Sequence, residues 1–160
     1  MKKIKLKNYT SEVPVSRSAD RIEKFLVEAG ARDIQRNYED GNLVGIHFSM
    51  PTEFGLTFFR LPVKEERAAK YLENQRKRRL NVAQRKAIKE QGARTAWRLA
   101  QDWIEIQFSM IAKNQLDLTE ALLVYAVRGD GKTLYEVMKE GGFKQLMAPK
   151  NDDEEIIDAE

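Results

Sequence analysis

Cysteine is absent from the sequence, and histidine occurs once, as His47. The first absence excludes disulfides, thiolate zinc sites and a cysteine nucleophile. The second excludes a metal site built from several histidines. No apolar run approaches the roughly 18 residues a membrane-spanning helix requires, so no membrane partner is expected. The opening "MKKIKLKNYT" carries charge but no apolar core behind it, so it is not read as a secretion signal, and a cytosolic protein is expected. No catalytic motif asks for a cofactor, and none is expected.

Charge is plentiful, and it is segregated. Net charge is only +3, but residues 64–98 hold twelve Lys or Arg against four acids, whereas residues 151–160 hold six acids and no base. Segregation of this kind says more about partners than the total does. With 42% hydrophobic residues in 160, the chain can bury a real core in one domain, or in two small units sharing an interface.

The pattern predicts an α+β protein, a small antiparallel sheet with one helix (β-α-β-β-β) followed by a helical C-terminal half. Residues 1–62 form the sheet unit, 63–148 a helical unit packed on it, and 149–160 a disordered acidic tail. Alternation of Ile4 and Leu6 with Lys5 and Lys7 suggests a first strand. Ile22, Phe25, Leu26 and Ala29 recur at helical spacing, with Ser16 or Ser18 as a cap and Gly30 as the stop. Asp40-Gly41 suits a tight hairpin turn between a strand holding Ile34 and Tyr38 and a returning strand "LVGIHFS". Pro51 and Gly55 bracket the next turn, before a last strand "LTFFRLP" closed by Pro62.

From Val63 no glycine or proline occurs before Gly92. Helices are expected over 64–79 and 82–91, then over 93–114 with Ala93, Ala96, Trp97, Ala100, Trp103, Ile104 and Ile111 on one stripe. A helix over 118–127 is apolar nearly all round and should be the most buried. Thr133 and Glu136 have capping-box spacing for a last short helix, which Gly141-Gly142 ends.

Few motifs suggest chemistry. "GDGKT" at 129–133 resembles the end of a phosphate-binding loop, but that motif needs glycine where Ala126 stands and a strand before it, so a loop between helices is preferred. His47 reads as a sheet histidine; as a general base it would need a carboxylate partner that the sequence does not reveal. Glu39-Asp40 reads as turn chemistry rather than a cation site. Trp97 and Trp103 are assigned to the core rather than to base stacking. Phe58 and Phe59 point to opposite sides of their strand, which calls for helices on both faces or a stacking partner, with the first preferred.

The basic stretch is the strongest functional signal. Four consecutive bases, Arg76, Lys77, Arg78 and Arg79, have too few acids nearby to neutralise them, and Lys70, Arg85, Lys86, Lys89 and Arg94 extend the excess. Phosphate neutralisation is the commonest use of such a cluster, with salt-dependent binding and little base readout. The plain alternative is a well-solvated helical hairpin. The acidic residues of 151–160 could fold back on these bases or dock, through Ile156 and Ile157, on a partner protein.

Several stretches carry a resemblance. They are "VPVSRSADRIEKFLVEAGARDIQRNYEDGNLVGIHFSM", "FRLPV", "ARTAWRLAQDWIEIQFSMI" and "GDGKTLYEVM". Together, over about residues 8–142, they resemble a family of small uncharacterised bacteriophage and prophage proteins. The resemblance implies a setting, the cytoplasm of a bacterial host, and no catalytic residues are carried over from it. The sequence is therefore read as a non-enzymatic phage accessory protein. It is expected to bind nucleic acid, or a nucleoprotein, through basic helices in 64–98. The alternatives are an anti-defence inhibitor, similar to anti-CRISPR proteins, that binds a host effector complex, and a phage enzyme centred on His47.

Overall fold

The computed structural model describes residues 7–144, and its first helix is α1, Val15–Glu28. Pro14, with φ near −58°, precedes it, and no side chain caps it. Neither serine is the cap, because the helix begins before both of them; Ser18 lies wholly buried on the inner face with Ala19, Ile22 and Leu26. Gly30, at φ +95°, stops the helix as expected. Residues 7–10 form a turn rather than a strand, and the remainder of the expected first strand lies outside the described residues.

Three strands follow, β1 (Ile34–Glu39), β2 (Asn42–Thr52) and β3 (Gly55–Arg60), in an antiparallel sheet of order β1-β2-β3. The β1–β2 hairpin turns at Asp40 and Gly41, both at positive φ. Alternation on β2 sends Ile46, Phe48 and Met50 inward and leaves His47 on the other face. Phe48 pairs with Phe59 in register, and their rings stack at 5.5 Å. Phe59 is fully buried while Phe58 is 49% exposed, so the helix expected over the second face does not cover Phe58, although Glu136 of the helix over Leu134–Glu140 reaches that face at Arg60, at 3.0 Å.

The helical half is α2 (Glu65–Asn74), α3 (Val82–Ala112), α4 (Leu118–Leu122), a single 3-10 turn (Leu123–Tyr125) and α5 (Leu134–Glu140). Together with the sheet it makes an α+β fold with a helical C-terminal half, as predicted. Three helix boundaries differ from expectation, each for a tertiary reason. Residues 82–112 form one continuous helix that runs through Gly92, because glycine there admits a close crossing by α2. A Cβ at Gly92 would lie 2.6 Å from the Ala69 backbone nitrogen and 2.7 Å from its Cα. Residues 76–79 are not helical, since α2 ends at Asn74. After Leu72 no apolar residue occurs until Leu80 to hold another turn against α3. Asn81 then starts α3 with a capping box, accepting from the Gln84 backbone at 2.8 Å while the Gln84 side chain accepts from its own N–H at 3.0 Å.

The third difference concerns residues 118–127. Leu122 is buried there, but Leu123 and Val124 are exposed, and the chain leaves the helix to form a bridge between Ala126 and Phe59 at the β3 edge. Pairing with an open sheet edge has overridden helical continuation. The capping box of Thr133 and Glu136 at α5 is present as expected.

Sheet and helices share one core. Ile22 and Leu26 of α1, Ile46 and Phe48 of β2 and Phe59 of β3 meet Trp97, Ala100, Ile104 and Phe108 of α3. Each fully buried large side chain contributes roughly 1.5–3 kcal/mol relative to exposure. Trp97 also ties α2 to α3, donating its indole N–H to the Glu65 carboxylate at the first turn of α2. Replacing Trp97 with Phe should lower unfolding stability by about 1–3 kcal/mol, because a partly buried carboxylate loses a donor. Urea unfolding measures it; Glu65→Gln, which keeps an acceptor, should cost less.

Candidate nucleic-acid interface

The irregular link between α2 and α3 gives the basic run its geometry. As a helix it would spread four bases around all sides; as a loop it forms one wall of a cleft. Arg76, Lys77, Arg78 and Arg79 line this cleft together with Arg94 from α3. Its floor is apolar, from Leu72 of α2, Leu80 of the loop, and Ala87 and Ile88 of α3. The volume is about 1050 Å³.

The opposite wall is the segment before α1, with Tyr9, Thr10 and Glu12. Hydrogen bonds spanning some eighty residues of sequence pin it to α3. Gln91 Nε2 donates to the carbonyls of Tyr9 and Ser11, both at 3.0 Å, and Thr95 Oγ1 donates to that of Asn8 at 3.2 Å. Further along, Asp102 accepts from Asn8 at 3.0 Å and pairs with Lys7 at 2.7 Å. Burial pushes the Asp102 carboxyl up, but Lys7, Asn8 and Arg98 together hold it below its usual value, so it stays charged as an anchor.

Five bases line the cleft against one acid, Glu12. Among the described residues none of the five forms an ion pair. Arg94 is held by neutral acceptors, Gln91 Oε1 at 2.6 Å and the Ser11 carbonyl at 3.3 Å, which orient its guanidinium without neutralising it. Among the described residues, therefore, the cleft concentrates positive charge that no acid pairs with, the arrangement that focuses field on an incoming anion.

Of the nine bases named from the sequence, Arg76, Lys77, Arg78, Arg79 and Arg94 converge on the cleft. The other four do not line it. On α3, residues 84, 87, 88, 91 and 94 share the cleft face, so at about 100° per residue Arg85, Lys86 and Lys89 turn away from it. Lys70 is exposed on α2, and Arg98 spends its charge on Asp102 at 3.5 Å. Tyr9, Gln84 and Gln91 were not singled out in the sequence. Nothing local marks them; only the crossing of the N-terminal segment over α3 brings them in.

The other candidates occupy different places. "GDGKT" is a loop closed by a bridge between Val127 and Thr133, with Lys132 paired to Glu140 at 2.7 Å and the Gly131 carbonyl accepting from Arg60. Trp97 is fully buried, and Trp103 packs edge-on to Tyr125 at 5.1 Å. His47 sits on the outer sheet face in register with Arg60. Burial first, and then the charge of Arg60, push its imidazole below the usual value. The unfolded chain therefore binds the proton more readily as pH falls through about 6.5. This contribution to stability is complete above that pH and is lost below it, towards the lowered folded value. His47→Gln should accordingly flatten the fall in Tm between about pH 7 and pH 5.

Among the described residues no helix is long and apolar enough to cross a membrane. Comparison of the chain with protein-family models, with curated protein sequences and with solved structures gives no match.

Proposed function

We propose that this protein binds nucleic acid through its phosphate backbone, in the cleft formed by residues 76–79, Arg94 and the segment before α1. The single observation that supports this most is the convergence on one concave surface of five bases that have no acid partner among the described residues. A solvated helical hairpin would instead spread such charge outward and pair it with acids at three or four residues. Neutralising phosphates is the role such a set of bases would serve. The setting is that implied by the resemblance of the sequence, an accessory protein of a bacteriophage or prophage acting in the bacterial cytoplasm.

An electrophoretic mobility shift at about 50 mM salt tests the reading, with single- and double-stranded DNA and RNA as probes. A shift with at least one probe, abolished by raising the salt fourfold, is the expected result. No shift with any of the four removes the proposal.

A further inference from the structure

We infer that the cleft takes a single-stranded polynucleotide, one of whose bases stacks on Tyr9. The inference rests on the phosphate-binding reading above and goes further, to the state of the strand. Three observations carry it. The floor of Leu72, Leu80, Ala87 and Ile88 is apolar, whereas a duplex presents a protein with phosphates and sugars and keeps its base faces stacked inside. Only an unpaired strand offers a flat apolar ring to such a floor.

Tyr9 is the second observation. It is 49% exposed at the wall facing the bases, and among the described residues its ring has no aromatic partner. An exposed aromatic beside uncompensated cations is the usual pairing in single-strand sites, with stacking for the base and charge for the phosphates. Its backbone is fixed by Gln91, so the ring is offered from a rigid support.

The third is the supply of amides. Gln84 spends its carbonyl oxygen on the α3 cap, and neither its amide nitrogen nor the Gln75 side chain has a partner among the described residues. Both line the cleft and can donate to the edge of an unpaired base. At about 1050 Å³ the cleft reaches the upper end of small-molecule sites, roughly 300–1,000 Å³, which leaves room for a base with its flanking phosphates.

The test is fluorescence anisotropy on the whole chain with four labelled probes, oligo-dT, oligo-rU, a duplex and an abasic sugar-phosphate chain of the same length. Oligo-dT or oligo-rU should bind about tenfold or more tightly than the duplex and the abasic chain. Tyr9→Ala should weaken the single strand by about tenfold and leave the salt slope unchanged, while Tyr9→Phe should bind as the unmodified protein does. The Tyr9 side chain is half exposed and its backbone carbonyl survives substitution, so folding is not at stake. Equal affinity for the duplex or the abasic chain overturns the inference and leaves the phosphate reading standing; so does a Tyr9→Ala variant that binds normally. Failure of all four probes overturns both.

Discussion

Gly92→Ala is expected to destabilise the protein by about 1–3 kcal/mol, and Gly92→Leu by more, although each exchanges a poor helix former for a better one. In the middle of an exposed helix the exchange to Ala would gain about 1 kcal/mol. Here the added Cβ falls within 2.7 Å of the backbone and Cβ of Ala69, and backbone in a packed helix cannot move aside as a flexible side-chain end can. The crossing of α2 over α3 must open, and the indole–carboxylate bond from Trp97 to Glu65 lies in the same interface. Urea unfolding of the two variants measures the loss. A gain in stability on Gly92→Ala would mean that α2 does not cross at this point.

Replacing Arg76, Lys77, Arg78 and Arg79 together with Ser is expected to weaken nucleic-acid binding by roughly a hundredfold at 50 mM salt. The same variant should keep its stability within about 0.5 kcal/mol, because all four side chains are exposed and none has an ion-pair partner among the described residues. Replacement of Arg85, Lys86 and Lys89, which removes three charges from the other faces of α3, should cost much less. That contrast separates the cleft from a merely basic protein, for which each lost charge would count alike. Anisotropy titrations of both variants against the unmodified chain provide the comparison.

Both predictions depend on features that the sequence carries unequally. The β1–β2 hairpin was legible because its signals are local, an Asp-Gly turn between alternating strands, and the structure places the turn at those residues. Ala96, Trp97, Ala100 and Ile104 of the expected stripe were legible in the same way, because helical periodicity and burial coincide, whereas Phe108, buried on the same helix, was not named. Gly92 was not, since a glycine can end a helix or admit a close neighbour, and only Ala69 opposite it decides between them. The end of α2 before the four bases was hidden for a related reason. No breaker stands there, and the helix stops where its apolar contacts with α3 stop. Residues 118–127 read as helix from their apolar content, but an open edge at β3 claimed Ala126 for the sheet.

The site divides along the same line. The basic run was plain in the sequence as composition, but its shape was not, because a helix and a loop of the same residues present charge differently. The second wall, with Tyr9, is held to Gln91 and Arg94 of α3 by hydrogen bonds between residues 80 or more positions apart, a relation without local signature. The acidic run at 151–160, which could compete with nucleic acid for the cleft, lies outside the described residues.

The most direct test of the account is the salt dependence of binding to a labelled single strand between about 50 and 200 mM monovalent salt. Five phosphate contacts predict a slope of log affinity on log salt near −3.5, a loss of about a hundredfold over that range. The Ser variant at residues 76–79 should retain a slope near −0.7, from Arg94 alone. A slope near zero for the unmodified protein, or the same slope in both, would contradict the claim that these bases meet phosphates in the cleft.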